Sequence, residues 1–133
     1  MENTGASRHV SVVINRSVAD VYEFVVDPRN LSEWASGLSS STTLIDGRWF
    51  ADSPMGQVEV SFAPRNEFGV LDHDVTLPSG EVFANPVRVI SHRDGAEVIF
   101  TMQPQQGVAA EAFDADAATV ASDLATLKAL LEA

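Results

Sequence analysis

Apolar and polar residues alternate along most of the first hundred positions, and this period of two predicts β-strands. The opening strand spans Arg8 to Asn15, where Val10, Val12 and Ile14 alternate with their neighbours. Six further strands are predicted at Leu38 to Ile45, Arg48 to Ser53, Gln57 to Ala63, Gly69 to Leu77, Glu81 to His92 and Ala96 to Gln103. Turn-forming sequences separate them, so the sheet of about seven strands should be antiparallel.

Two short helices are predicted directly after the first strand. Ser17, with an acidic residue three positions later, is typical of a helix N-cap. Asp27-Pro28 repeats the signal, with Asp as the cap and Pro at the first helical position. The second helix should end near Trp34.

The last predicted element is a long helix from about Glu111 to Glu132. Apolar residues recur there every three or four positions, from Phe113 through Val120 to Leu131. At ~1.5 Å per residue this helix would be roughly 30 Å long, about the width of a small domain. The order of elements predicts an α+β fold in which a curved antiparallel sheet surrounds the long C-terminal helix.

Loop lengths decide which side chains share a face, because a shift of one residue exchanges the two faces of a strand. Three turns are interpreted as two-residue loops: Asp46-Gly47, Met55-Gly56 and Asp94-Gly95. These lengths place Leu44 opposite Trp49, and Trp49 opposite Phe62.

The turn Pro78-Ser79-Gly80 decides the position of the most notable polar residue, His73. A three-residue loop with Gly80 in the left-handed conformation joins the apolar faces of three strands, and we prefer it for that reason. It places His73 opposite Asn85 on the inner face. A two-residue loop would turn His73 away from that face.

The predicted inner face is apolar apart from His73 and Asn85, and Phe113 of the long helix should close the space above it. Trp34 and Trp49 are interpreted first as core residues. Candidate ligand contacts are Trp34, Trp49, Phe62, Leu71, His73, Asn85, Val87, Phe100, Met102 and Phe113.

Composition narrows the class of protein. The chain has 133 residues, which suits one domain over positions 1–133, and no cysteine, which excludes disulfides and thiolate chemistry. Nineteen acidic residues against eight basic ones give a net charge of −11, which disfavours nucleic acid and anionic membranes as partners. Without a secretory signal or a membrane-spanning stretch, we expect a cytoplasmic protein, monomeric or homodimeric, with no membrane insertion.

His73 is the one candidate for acid/base chemistry, because a histidine titrates near neutral pH. The simpler interpretation is a buried histidine that hydrogen-bonds to Asn85 or to the backbone. Asp72 and Asp74 should point to the other face of the strand, where either would pair with Arg88. No spacing of His, Asp and Glu matches a metal site, so neither a metal nor another cofactor is expected.

The sequence resembles the START-like superfamily, also called SRPBCC, and within it the polyketide cyclase/dehydrase-like proteins of bacteria. Four segments carry the resemblance: VSVVINRSVADVYEFVVDPRNLSEWASGL, RNEFGVLDHDVTLPSGEVFANPVRVI, SHRDGAEVIFTM and FDADAATVASDLATLKALLE. The resemblance implies a helix-grip fold with a cavity under the long helix. It also implies a small hydrophobic ligand of the polyketide, lipid or sterol kind, but no particular activity.

Three functional hypotheses follow. The first is a protein that binds a small hydrophobic molecule in the cavity between sheet and helix. The second is a polyketide cyclase or dehydratase that uses His73 as its acid/base group, oriented by Asn85. The third is an interaction module that docks to a partner protein through its acidic surface.

Overall fold

The computed structural model describes residues 6–36 and 42–133. Within them the strands are β1 (Arg8–Ile14), β2 (Thr43–Ile45), β3 (Arg48–Ser53), β4 (Gly56–Phe62), β5 (His73–Thr76), β6 (Val82–Asn85), β7 (Val87–His92) and β8 (Gly95–Met102). The helices are α1 (Val18–Val26), α2 (Leu31–Trp34) and α3 (Ala110–Glu132), with one turn of 3-10 helix at Pro28–Asn30.

All strand pairs are antiparallel, in two sheets of order β1-β8-β7 and β2-β3-β4-β5-β6. The chain passes from β6 into β7 at Pro86, so the two sheets continue into each other as one curved layer. Helix α3 runs along β1: Arg8 forms an ion pair with Asp114 near the start of α3, and Lys128 Nζ donates to the Val13 carbonyl near its end. This arrangement is the predicted helix-grip fold.

The predicted helix starts are confirmed. Ser17 Oγ accepts a hydrogen bond from the Asp20 amide at 3.1 Å, which satisfies one of the free N–H groups at the start of α1. The Asp27 carboxylate accepts from the Arg29 amide at 3.0 Å in the same way, ahead of the 3-10 turn. The second short helix ends at Trp34, as predicted.

Two of the predicted turns are also confirmed. Asp46 and Gly47 both have positive φ, 51° and 78°, and Leu44 lies opposite Trp49, as in a two-residue hairpin. In the three-residue loop 78–80, Gly80 has a φ of 93°.

The register beyond that loop is the predicted one. The Leu77 amide donates to the Glu81 carbonyl at 2.9 Å, directly across the loop 78–80. His73 therefore lies opposite Asn85.

The other two loops begin one residue earlier than predicted. Ser53 pairs with Gly56, and His92 pairs with Gly95, so the loops are 54–55 and 93–94. Trp49 lies opposite Val60 instead of Phe62. Moving a loop by one residue changes each cross-strand partner by two residues, as in the change from Phe62 to Val60. Because side chains alternate with a period of two, every side chain keeps its predicted face.

Two predicted strands are interrupted where they face each other, and the division of one of them gives eight described strands instead of about seven. The predicted strand Glu81 to His92 breaks at Pro86, because proline has no N–H group to donate to a sheet. Its neighbour, predicted from Gly69 to Leu77, is regular only at β5, although Val70 still bridges to Arg88 in the same register. Of the predicted strand Leu38 to Ile45, positions 38–41 lie outside the described residues.

The core lies between the curved layer and the helices α1, α2 and α3. Its largest fully buried side chains are Ile14, Val21, Val25, Val58, Leu71, Val87, Val89, Val98, Leu124 and Leu127. The predicted apolar stripe of α3 divides into two parts. Ala117, Leu124, Leu127 and Leu131 are buried, whereas Phe113 and Val120, nearer the start of the helix, are only half-buried.

Candidate functional site

A pocket of about 470 Å³ lies between the sheet and the first half of α3. It follows from the break at Pro86. The last strand pair between β7 and β8 is Val87 with Phe100, and one further hydrogen bond runs from the Thr101 amide to the Pro86 carbonyl at 2.9 Å. Beyond that point β8 continues along β1, whereas β6 pairs with β5. Strands β6 and β8 therefore diverge, and the pocket occupies the wedge between them.

The lining is mainly apolar in surface and carries five neutral polar side chains and one carboxylate. The apolar residues that line it are Phe83, Ala84, Phe100, Met102, Val108, Phe113 and Val120. The polar residues that line it are Asn85, Thr101, Gln103, Gln105, Asp116 and Thr119. A mainly apolar surface with a few fixed hydrogen-bonding groups is typical of small-molecule sites.

A second depression, of about 860 Å³, adjoins the first and shares Gln105, Val108 and Phe113 with it. Arg8 lies in this depression, where its guanidinium is 2.7 Å from the Asp114 carboxylate. The same guanidinium is 5.0 Å from the ring centroid of Phe113. The three shared residues thus form the boundary between the two depressions, and Arg8 lies against Phe113 on the side of the larger one.

Four of the ten predicted ligand contacts line the pocket: Asn85, Phe100, Met102 and Phe113. Trp49 and Phe62 line a separate depression of about 310 Å³ beside the end of α1. Trp34, Leu71, His73 and Val87 are buried and lie outside the pocket lining. As ligand contacts, all ten stay predictions.

Apart from Asn85, the polar residues of the lining were not predicted from the sequence, although one signal was available. Asp116 comes three positions after Phe113 and four before Val120, so these three residues lie on one face of a helix. Gln103 and Gln105 belong to the connection between β8 and α3, which has no periodic pattern to show which way its side chains point.

Asp72 compensates for the break in the sheet. The Leu71 amide donates to the Val87 carbonyl at 2.8 Å, as a regular ladder requires. The Val87 amide, however, donates to Asp72 Oδ1 at 2.9 Å and not back to Leu71. Asp72 also pairs with Arg88 at 3.1 Å, as predicted.

These contacts determine the charge state of Asp72. Partial burial acts to raise the pKa of its carboxyl group, but the hydrogen bonds from Arg88 and from the Val87 amide outweigh burial. The pKa of Asp72 therefore lies below its ordinary value, and the carboxylate is charged at neutral pH.

His73 forms a hydrogen bond with the Leu71 carbonyl, which receives no bond from the Val87 amide at the break. Its Nδ1 lies 3.2 Å from the Leu71 oxygen, and a carbonyl only accepts, so Nδ1 carries the proton. The ring is 9 % exposed and packs between Phe62, with ring centroids 4.8 Å apart, and the edge of Phe100 at 6.2 Å.

The surroundings of His73 favour an uncharged ring. Burial lowers the pKa of the imidazole, and it outweighs the Leu71 hydrogen bond and the charges of Asp72 and Asp74, which act in the opposite direction. Asn85 Nδ2 donates to the Phe83 carbonyl at 3.3 Å. The structure thus accounts for His73 as a buried group that completes the backbone hydrogen bonding at the break.

Trp34 has one polar atom without a partner. Its side chain is buried in the core, with 5 % exposure, and Nε1 has no hydrogen bond within the described residues. In residues 6–36 and 42–133, no group of three or more His, Cys, Asp or Glu side chains lies close enough to hold a metal ion. No helix in these ranges is both long enough and apolar enough to cross a lipid bilayer.

Neither a protein-family model nor a curated protein matches the sequence. Solved structures do match. The protein ChR145 from Cytophaga hutchinsonii is 18 % identical, with a TM-score of 0.71 over 98 % of this chain and 97 % of its own. Ara h 8.0201 is 11 % identical, with a TM-score of 0.71 over 96 % and 97 %.

DynU16, a protein in the dynemicin biosynthetic locus, is 16 % identical, with a TM-score of 0.68. The match covers 98 % of this chain and 48 % of DynU16, so the chain spans about half of that protein. At these identities the likeness shows a shared fold.

Proposed function

We propose that this protein binds a small hydrophobic molecule of the polyketide, lipid or sterol kind in the pocket between β6, β8 and α3. The observation that carries the proposal is the pocket itself, about 470 Å³ in volume. A packed domain seldom leaves so much space between its layers, and the volume lies within the range of small-ligand sites.

The exposure of the apolar lining supports the proposal. Phe113 and Val120 continue the core-facing stripe of α3, yet they are only half-buried, in contrast to Leu124 and Leu127 further along. A ligand in the pocket would remove this apolar surface from water, which contributes about 25 cal/mol per Å² before the cost of association.

The presence of DynU16 among proteins of the same fold adds a direction for the ligand search. DynU16 lies in a biosynthetic locus, so small biosynthetic products of the polyketide kind are the first class of compounds to test.

A blocked-pocket variant tests the proposal. Thr119 lines the pocket, and Thr126 lies seven residues later on the same helix, where it does not line the pocket; each hydroxyl donates to the carbonyl four residues before it. Thr119→Trp fills the pocket, and Thr126→Trp is the matched control.

The probe for this test is Nile red, a neutral polycyclic fluorophore. We expect Nile red to bind the unchanged protein and the Thr126→Trp variant with equal affinity, and the Thr119→Trp variant at least about tenfold more weakly. Equal binding by all three proteins, or by none, would overturn the proposal.

A further inference from the structure

We propose that the pocket selects its ligand by charge: it takes an apolar molecule whose polar group is neutral or an amine, and it rejects the same molecule with a carboxylate or phosphate. This inference rests on the proposed function and specifies the class of ligand. It follows from the placement of charged side chains around the pocket and over the whole molecule.

The lining contains no cationic group within the described residues. Asp116 is its one ionisable side chain, and the other polar members are the amides of Asn85, Gln103 and Gln105 and the hydroxyls of Thr101 and Thr119. An anionic group in the pocket would therefore meet hydrogen-bonding dipoles and one like charge, but no opposite charge.

The cation in the adjoining depression is already engaged. Arg8 lies on the far side of Phe113 from the pocket, and its guanidinium is 2.7 Å from the Asp114 carboxylate. A carboxylate ligand that approached Arg8 would compete with Asp114 for the guanidinium and would lie beside that like charge. Exchange of one carboxylate for another gives no net gain in pairing.

The other basic side chains of the protein are also paired with carboxylates. All eight arginine and lysine residues of the sequence lie in the described ranges, and each has a carboxylate at an N···O distance of 2.6 to 3.9 Å. Acidic residues outnumber basic ones by eleven, so the protein as a whole carries a negative field. This field lowers the local concentration of anions and raises that of cations.

Neutral and amine-bearing molecules meet no such obstacle. The amides and hydroxyls of the lining can donate to and accept from alcohol and carbonyl groups. The Asp116 carboxylate accepts from an ammonium group, and this contact is charge-assisted. We therefore expect affinity to fall in the order amine, alcohol, carboxylate for molecules with the same apolar body.

Three fluorescent anthracenes with the same ring system test this order: 9-(aminomethyl)anthracene, 9-anthracenemethanol and 9-anthracenecarboxylate. Titration of the full chain at low salt should give an affinity for the amine or the alcohol at least about tenfold higher than for the carboxylate. The ratio should shrink as salt is added, since screening weakens interactions between exposed charges.

Asp116→Asn should reduce the ratio between amine and carboxylate, while Asp74→Asn should leave it unchanged, because Asp74 lies exposed on β5 outside the lining. Equal affinity for all three anthracenes, or preference for the carboxylate, would overturn the charge selection and leave the proposed function standing. Binding of none of the three, together with failure of Nile red to bind, would overturn the proposed function itself.

Discussion

At the scale of single residues, the sheet depends on two side chains that replace one backbone hydrogen bond. Asp72 accepts from the Val87 amide, and His73 donates to the Leu71 carbonyl. Without them, a backbone donor and a backbone acceptor would lie beside the core without a partner, at a cost of about 1–3 kcal/mol each. The side chains of Asp72 and His73 therefore make the interruption of the sheet possible, because they supply the hydrogen bonds that the backbone loses there.

Removal of the Asp72 carboxylate should destabilise the protein. Asp72→Ala leaves the Val87 amide without its acceptor and Arg88 without its ion-pair partner. We expect a loss of about 1–3 kcal/mol in the free energy of unfolding, measured by urea denaturation. Asp74→Ala, on the exposed side of β5, is the control and should stay within about 0.5 kcal/mol of the unchanged protein. Equal stability of the two variants would contradict the role of Asp72.

His73 should make stability depend on pH below neutrality. The pKa of His73 is lowered in the folded protein, so below about 6.5 the unfolded chain takes up a proton that the folded chain refuses. Stability should thus fall as the pH decreases from about 6.5 toward the folded pKa, by up to about 1.4 kcal/mol per pH unit.

Denaturation at several pH values measures how the free energy of unfolding depends on pH. The His73→Gln variant should lack the decrease in stability below about pH 6.5 that His73 causes. His9→Gln, at an exposed position on β1, controls for the loss of a histidine and should keep the slope. A His73→Gln profile parallel to that of the unchanged protein would show that His73 is not the titrating group.

At the scale of the elements, the accuracy of prediction depended on the chemistry of each turn. Asp46-Gly47 was placed correctly because both residues tolerate positive φ. The turn Ser53-Pro54-Met55-Gly56 was placed one residue late. Ser, Pro and Gly at its first, second and fourth positions match a type I turn, in which glycine follows the loop.

The break at Pro86 was missed for a different reason. The alternation of apolar residues continues through it, because the pairing of Val70 with Arg88 and that of His73 with Asn85 share one register. Period and register predicted the inner face correctly, but they do not report where two strands separate. The pocket depends on that separation, so only part of its lining could be predicted.

Two glycines of these elements should differ in how they tolerate alanine. Both have positive φ, 72° at Gly69 and 93° at Gly80. A methyl group at Gly80 would meet nothing within 4 Å, whereas one at Gly69 would collide with the Val89 carbonyl. Gly80→Ala should cost about 1–2 kcal/mol of backbone strain, and Gly69→Ala about 1–3 kcal/mol more. Thermal unfolding of both variants measures the difference, and a smaller cost at Gly69 would contradict the close approach to Val89.

At the scale of the whole molecule, charge is the dominant surface property. Each of the eight basic side chains is paired, and the excess of acidic residues gives a net charge of −11. Such an excess keeps molecules apart in solution but also repels itself within the folded state. Exposed ion pairs contribute little to offset this, typically 0–1 kcal/mol each.

Moderate salt should therefore stabilise the protein. Raising sodium chloride from about 0.01 M to about 0.1 M shortens the screening length from about 30 Å to about 10 Å. We expect the free energy of unfolding to rise by on the order of 1 kcal/mol, because screening of the net repulsion outweighs screening of the ion pairs. Potassium chloride at equal ionic strength should act equally, and a decrease in stability with either salt would show that the ion pairs dominate.

The pairing of β1 with β8 also determines the order in which strands can pair during synthesis. Arg8 pairs with Met102 and Ile14 with Ala96, whereas β2 to β6 pair each with the next strand along the chain. As the ribosome releases the chain, β2 to β6 can form hairpins while β1 still lacks a partner, and such distant pairing is slow to form. Until β8 arrives, the apolar strand around Val10 and Val12 stays open to chaperones and to other nascent chains.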